Sequence, residues 1–115
     1  MKPVDLIIFG NAIFDGISED PYQGFVEILG NRISEVCHGL PKRDDYGTDT
    51  LWIDAGNRLV SSADAMRRKK TGSLEAGKLA DVVVMSRNIL AIPSEAKDVS
   101  VDYSIMDGKI VYQRY

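Results

Sequence analysis

At 115 residues the sequence has the size of one domain with a single core, well short of the roughly 250 residues of a catalytic (β/α)₈ barrel. Hydrophobic residues make up 44% and charged residues 27%, with a formal net charge of −3, so bulk electrostatics give no reason to bind nucleic acid or anionic lipid. No apolar run approaches the roughly 20 residues of a membrane-spanning helix, Asp5 and Gly10 interrupt any secretory h-region, and Cys37, being alone, closes no internal disulfide; the expected setting is cytoplasmic, without nucleic-acid or membrane partners.

The apolar stretches are short, rich in Val, Ile, Phe and Tyr, and bounded by Gly, Asn or Asp, which predicts a mainly β fold. Residues 4–9 read as a strand buried on both faces, and residues 12–14 as a second, with a turn or bulge at Gly10-Asn11. Residues 25–29 and 32–36 form a tight hairpin over Gly30-Asn31. Residues 39–48, with Pro41, Lys42, Arg43, Asp44, Asp45 and Gly47, read as an exposed loop. Residues 51–54 and 58–60 are strands flanking Ala55-Gly56-Asn57. One short helix is expected over residues 62–70, with Ser61 or Ser62 as N-cap, Asp64 in its first turn, Arg67 to Lys70 in its last and Gly72 as its stop. Residues 81–85 belong in the centre of a sheet. Residues 101–105 and 109–114 make a second hairpin over a type I′ turn at Asp107-Gly108.

Catalytic chemistry is hard to assemble from this inventory. A hydrolytic zinc centre takes about three protein ligands, imidazoles prominent among them, and an open position for water. The chain has one histidine, His38, next to Cys37 at a strand end, where adjacent side chains point to opposite faces. Ser61, Ser62 and Ser73 share that single imidazole as their only candidate base, and Cys37 as a nucleophile lacks a second catalytic group. Asp15, Glu19, Asp20, Asp44 and Asp45 read as a solvated face, and Arg67-Arg68-Lys69-Lys70 as the dipole-complementing end of a helix. Gly72 and Gly77, with Lys78 after them, lack the preceding strand and full spacing of a phosphate loop and read as turn glycines. No catalytic, cofactor or metal residue is assigned.

Several segments nevertheless carry a resemblance. Asp5-Leu6-Ile7-Ile8-Phe9-Gly10-Asn11-Ala12, Val26-Glu27-Ile28-Leu29-Gly30-Asn31-Arg32-Ile33 and Ile53-Asp54-Ala55-Gly56-Asn57-Arg58-Leu59-Val60 resemble, in that order, the N-terminal flank of the amidohydrolase superfamily. Gly72-Ser73-Leu74-Glu75-Ala76-Gly77-Lys78-Leu79-Ala80-Asp81-Val82-Val83-Val84 is similar to its C-terminal signature, and Asp107-Gly108-Lys109-Ile110-Val111-Tyr112 to its closing hairpin. Ile92-Pro93-Ser94-Glu95 with Lys97-Asp98-Val99 resembles the type three branch.

The resemblance implies a composite β-sandwich or pseudo-barrel built from both flanks: residues 1–60, a junction over 61–71, and residues 72–115. In the family a metal-binding barrel, with zinc or another divalent ion, lies between the flanks and hydrolyses amide or related C–N bonds. Here Ser61-Ser62-Ala63-Asp64 stands where Pro-Gly and a His-x-His pair would follow, so no family ligand carries over. The expectation is a non-catalytic scaffold domain without a cofactor of its own. The alternative is an interaction or dimerisation module that self-associates through the former barrel-facing surface, with Ile89, Leu90, Ile92 and the Leu51-Trp52 strand as candidates.

Overall fold

A computed structural model describes residues 3–63, 73–87 and 100–114. Seven strands, β1 (Leu6–Ile13), β2 (Tyr22–Leu29), β3 (Arg32–His38), β4 (Leu51–Ser62), β5 (Val82–Met85), β6 (Val101–Met106) and β7 (Lys109–Gln113), form one sheet in the order β3-β2-β1-β4-β5-β6-β7. The fold is mainly β, as the short branched apolar runs require. Among the described residues a 3₁₀ turn spans Arg43–Asp45, and Ala63, directly after β4, is in helical conformation. The helix expected over 62–70 falls, from residue 64 on, outside the described residues.

β1 runs parallel to β4 and antiparallel to β2; every other neighbouring pair is antiparallel. This central position buries β1 on both faces, with Ile7 and Ile8 both fully covered, which explains its nearly unbroken apolar sequence. The expected breaks at Gly10-Asn11 and Ala55-Gly56-Asn57 are bulges inside two continuous strands. Gly10 lies opposite Gly56, the register shifts on either side of that pair, and the ladder resumes at Ala12↔Leu59. The irregularities sit at the same level of adjacent strands, so the pair bends together instead of ending. A Cβ on Gly10 would stand 2.9 Å from the Gly56 carbonyl oxygen, and Gly56 has φ +57°, so both positions need glycine.

β4 also runs further than expected. Ser61 and Ser62 pair with Val83 and Val82, so Ser61, fully buried, is a ladder residue and not a helix cap. The β-branched run of β5 offers Ser61 a strand to pair with, and that tertiary ladder outweighs its local preference for a cap, whereas Ser62 ends the ladder directly before Ala63, where helical conformation begins.

Both expected hairpins are present. Gly30 has φ +61° and Asn31 has no positive φ, the signature of a type II′ turn, whereas Asp107 and Gly108 have φ +57° and +80°, as type I′ requires. The strands coil strongly enough for these two turns to touch: the Gly108 backbone lies against the Gly30 carbonyl. Residues 77–81 fill the gap between them. Ile33 N donates to Lys78 O, Gly77 N to Ile33 O and Ala80 N to Asn31 O on one side, while Gly108 N donates to Ala80 O on the other. The expected pseudo-barrel is thus one sheet coiled about a single interior, lined by Leu6, Ile8, Ile28, Ile33, Val60, Leu74, Val82, Val84 and Ile105 among others. Burying each such side chain contributes about 1.5–3 kcal/mol.

The outer face of β1, β2 and β4 carries a second apolar cluster of Val4, Ile7, Phe25 and Tyr46, with Phe9, Cys37 and Trp52 packed against it. Residues 39–48, expected as an exposed loop, supply its cover. Tyr46 is only 6% exposed and meets Trp52 edge-on at 5.4 Å, the Arg43 guanidinium lies 4.4 Å over the Trp52 ring, and Thr50 Oγ1 donates to Val4 O. The run is polar on average, but a single aromatic suffices to anchor it to an apolar sheet face. None of the helices among the described residues is long and apolar enough to cross a membrane.

Candidate functional site

The cluster nearest to a chemical site is one the sequence does not announce. Glu27, Glu35 and Cys37 bring two carboxylates and a thiol together on the outer face, with ligand atoms all within 4.8 Å of one another. Their meeting depends on one irregularity. Leu29 pairs with Arg32 and Ile28 with Ile33, and an unbroken ladder would set Glu27 opposite Ser34. The register shifts after Ile28, so Glu27 faces Glu35 instead, and Cys37 lies two residues further along the same face.

Glu27 is 1% exposed on an otherwise apolar surface, and the Tyr46 hydroxyl donates to its Oε2 at 2.5 Å. Burial first, then this bond to the carboxylate, raises the Tyr46 pKa above its ordinary value. Cys37 Sγ lies 3.8 Å from Glu35 Oε2. His38 does not join them. It pairs opposite Gly24, and its ring stacks on Tyr22 at 3.7 Å and 15°, so Cys37 and His38 face opposite ways, as strand alternation predicts.

This arrangement does not fit a hydrolytic metal. It offers no imidazole, and Tyr46 covers the buried carboxylate where an open position for water would be needed. The residues suit a structural role, in which Tyr46 holds the 39–50 segment down and satisfies a carboxylate that would otherwise be costly to bury.

The serines are equally committed. Ser61 is buried in the ladder. Ser73 Oγ donates to Glu75 Oε2 at 2.6 Å and accepts from Lys78 Nζ, while Lys78 is ion-paired to Glu75 at 2.9 Å. A nucleophilic serine must be free to attack, whereas the Ser73 hydroxyl is tied to both Glu75 and Lys78. Gly77, with φ +92°, and Lys78 belong to the segment between the two hairpin turns, consistent with turn glycine and not with a phosphate cradle. Arg67 to Lys70 and Gly72 lie outside the described residues, as do Ile89, Leu90 and Ile92. Of the apolar surface candidates that are described, Leu51 is 61% exposed, whereas Trp52 packs under Arg43 and Tyr46.

A second polar knot closes the turn after β1. Asp15 accepts from the Ile17 and Ser18 amides at 2.8 Å and from the Ser18 and Tyr22 hydroxyls. Burial pushes its pKa up, but these four donors outweigh burial and hold it below the ordinary 3.8. A carboxyl with a depressed folded-state pKa stabilises the fold above its unfolded pKa, and that contribution disappears as pH falls through the folded value. Asp15→Asn is therefore expected to lower stability by about 1–2 kcal/mol at pH 7. Urea denaturation of both proteins should show the gap narrowing steadily below pH 4; a gap constant down to pH 2 would contradict this account.

Residues 60–112 match the family model described as the amidohydrolase family, of the type three branch. The matched span begins at Val60 and so takes in Ser61 and Ser62, which the sequence resemblance leaves out. No curated protein matches the chain.

Proposed function

We propose, from the match of residues 60–112 to the amidohydrolase family model, that this chain is a non-catalytic β-domain of such a hydrolase: a scaffold, with no metal or substrate chemistry of its own. The observation that carries the reading is the position of the single imidazole. His38 is stacked on Tyr22, on the side of β3 away from Glu27, Glu35 and Cys37, so the potential metal donors are split between two faces. The parent chemistry, hydrolysis of amide or related C–N bonds by metal-activated water, would then belong to a barrel domain, with zinc or another divalent ion bound there.

Assay of the purified chain against N-acyl amino acids and cyclic amides, with zinc or manganese supplied, tests this. Rates at the level of the buffer are expected. Turnover that saturates with substrate and is lost in Cys37→Ala would overturn the reading. A second reading, an interaction or dimerisation module, draws on the exposure of Leu51 at the start of β4. It predicts a dimer in light scattering that Leu51→Asp returns to monomer. The proposed setting is the cytoplasm, with neither nucleic acid nor membrane as partner.

A further inference from the structure

Ser86 follows the last residue of β5 and Ser100 precedes the first of β6, and the two clasp each other. The Ser86 amide donates to the Ser100 carbonyl at 2.7 Å, and the Ser100 amide to Ser86 Oγ at 2.9 Å. One residue past β7, the Arg114 amide donates to the Asp102 carbonyl, which prolongs the β6–β7 pairing and keeps Arg114 on the face of Tyr112. With Arg87, these residues line an open groove of about 630 Å³. Its described lining holds no carboxylate, in a chain whose net charge is −3.

The polar side chains of the groove offer donors. Nη1 of Arg114 takes both internal bonds of that side chain, to Ser100 Oγ at 2.6 Å and to Asp102 Oδ1 at 3.4 Å. Asp102, 1% exposed, also holds Arg58, so the Arg114 guanidinium is anchored through Nη1. What it retains is the Nε–Nη2 edge, whose parallel N–H groups meet an oxyanion bidentately. Ser86 Oγ and Ser100 Oγ each already accept a bond, which leaves their hydroxyl hydrogens to donate. Arg87 brings a second guanidinium, and Tyr112, 50% exposed, a phenol and an aromatic face.

We propose that this groove binds a phosphate monoester carried on a soluble organic molecule. Two guanidiniums match a group with about 1.5–2 negative charges at pH 7, whereas a carboxylate is a monoanion. The groove far exceeds a phosphate in volume, and Tyr112 gives the attached organic group a surface to cover. The soluble source fits because a net charge of −3 gives an anionic bilayer no attraction. The inference goes beyond the scaffold reading and survives its failure, since the ligand is held and not turned over.

The test titrates the isotopically labelled full chain with inorganic phosphate, phenyl phosphate and acetate at pH 7 and constant ionic strength, following the backbone amide signals of Ser86, Ser100 and Arg114 by NMR. Saturable shifts are expected, with a Kd of about 1 mM for inorganic phosphate, about fivefold tighter for phenyl phosphate and about tenfold weaker for acetate. Arg87→Gln and Arg114→Lys should each weaken phenyl phosphate about fivefold or more, since one loses the charge and the other the planar fork. Both arginines are exposed, so the variants should keep the folded spectrum; Lys42→Gln, exposed on the 39–48 segment, should bind as the wild type. No saturable shift by about 20 mM phosphate would overturn the proposal. So would equal affinity for acetate and phosphate, equal affinity for the two phosphates, or an equal loss in Lys42→Gln, which would mark diffuse attraction.

Discussion

Gly108→Ala is expected to destabilise the chain by about 3 kcal/mol and to lower its melting temperature by roughly 10 °C. Two effects combine there. The residue has φ +80°, where a Cβ costs about 1–2 kcal/mol, and the added methyl would overlap the Gly30 carbonyl oxygen and crowd the Asn31 Cα. The obstacle is backbone in the opposing turn, so relief requires the two hairpins to move apart and disturbs the bonds of residues 77–81 to both. Gly30→Ala provides the control. Its φ is +61°, but nothing lies within 4 Å of an added Cβ, so only the conformational cost of about 1 kcal/mol applies. Differential scanning calorimetry of the two variants separates the effects; equal losses would show that the turn-to-turn contact contributes nothing.

Asp102→Ala is expected to cost about 2–3 kcal/mol in urea denaturation. Asp102 on β6 receives Arg58 Nε at 3.1 Å and Arg114 at 3.4 Å, and its own side chain is 1% exposed. Removing the carboxylate leaves two guanidiniums facing each other without their shared counterion. The value falls below that of a fully buried pair because Arg58 is 29% and Arg114 51% exposed, so water screens part of the loss. Replacing both sides of the closer pair, Arg58→Met with Asp102→Leu, should recover most of the stability, since apolar residues of similar volume satisfy the site without desolvating charge. A loss below about 0.5 kcal/mol for Asp102→Ala would mean that the pair is incidental.

What was legible in the sequence was what short-range chemistry dictates. Gly30-Asn31 and Asp107-Gly108 located both hairpins, because few residues accept the φ values of two-residue turns. The unbroken apolar runs of β1 and β5 marked strands covered on both faces. What was not legible depended on partners distant in the chain. Gly10 and Gly56 each look like a break, and only their alignment on adjacent strands makes them a shared bend. Ser61 has the character of a helix cap until β5 pairs with it.

The Glu27, Glu35 and Cys37 cluster was hidden for a sharper reason. A regular hairpin would place Glu27 opposite Ser34, and a single-residue bulge, which has no reliable sequence signal, changes which side chains share a face. Tyr46 was lost in a polar average. Its position among charged residues suggested solvent, yet it is the anchor that covers the outer face and satisfies Glu27.

The opposed placement of His38 and Cys37 was foreseeable from strand alternation alone, and it bears most directly on function. Elemental analysis of the purified chain, dialysed after exposure to equimolar zinc, is the direct measurement. The account predicts zinc far below one atom per chain, unchanged in Glu27→Gln and Cys37→Ala. About one zinc atom per chain, lost in both variants, would contradict it and identify the outer-face cluster as a metal site.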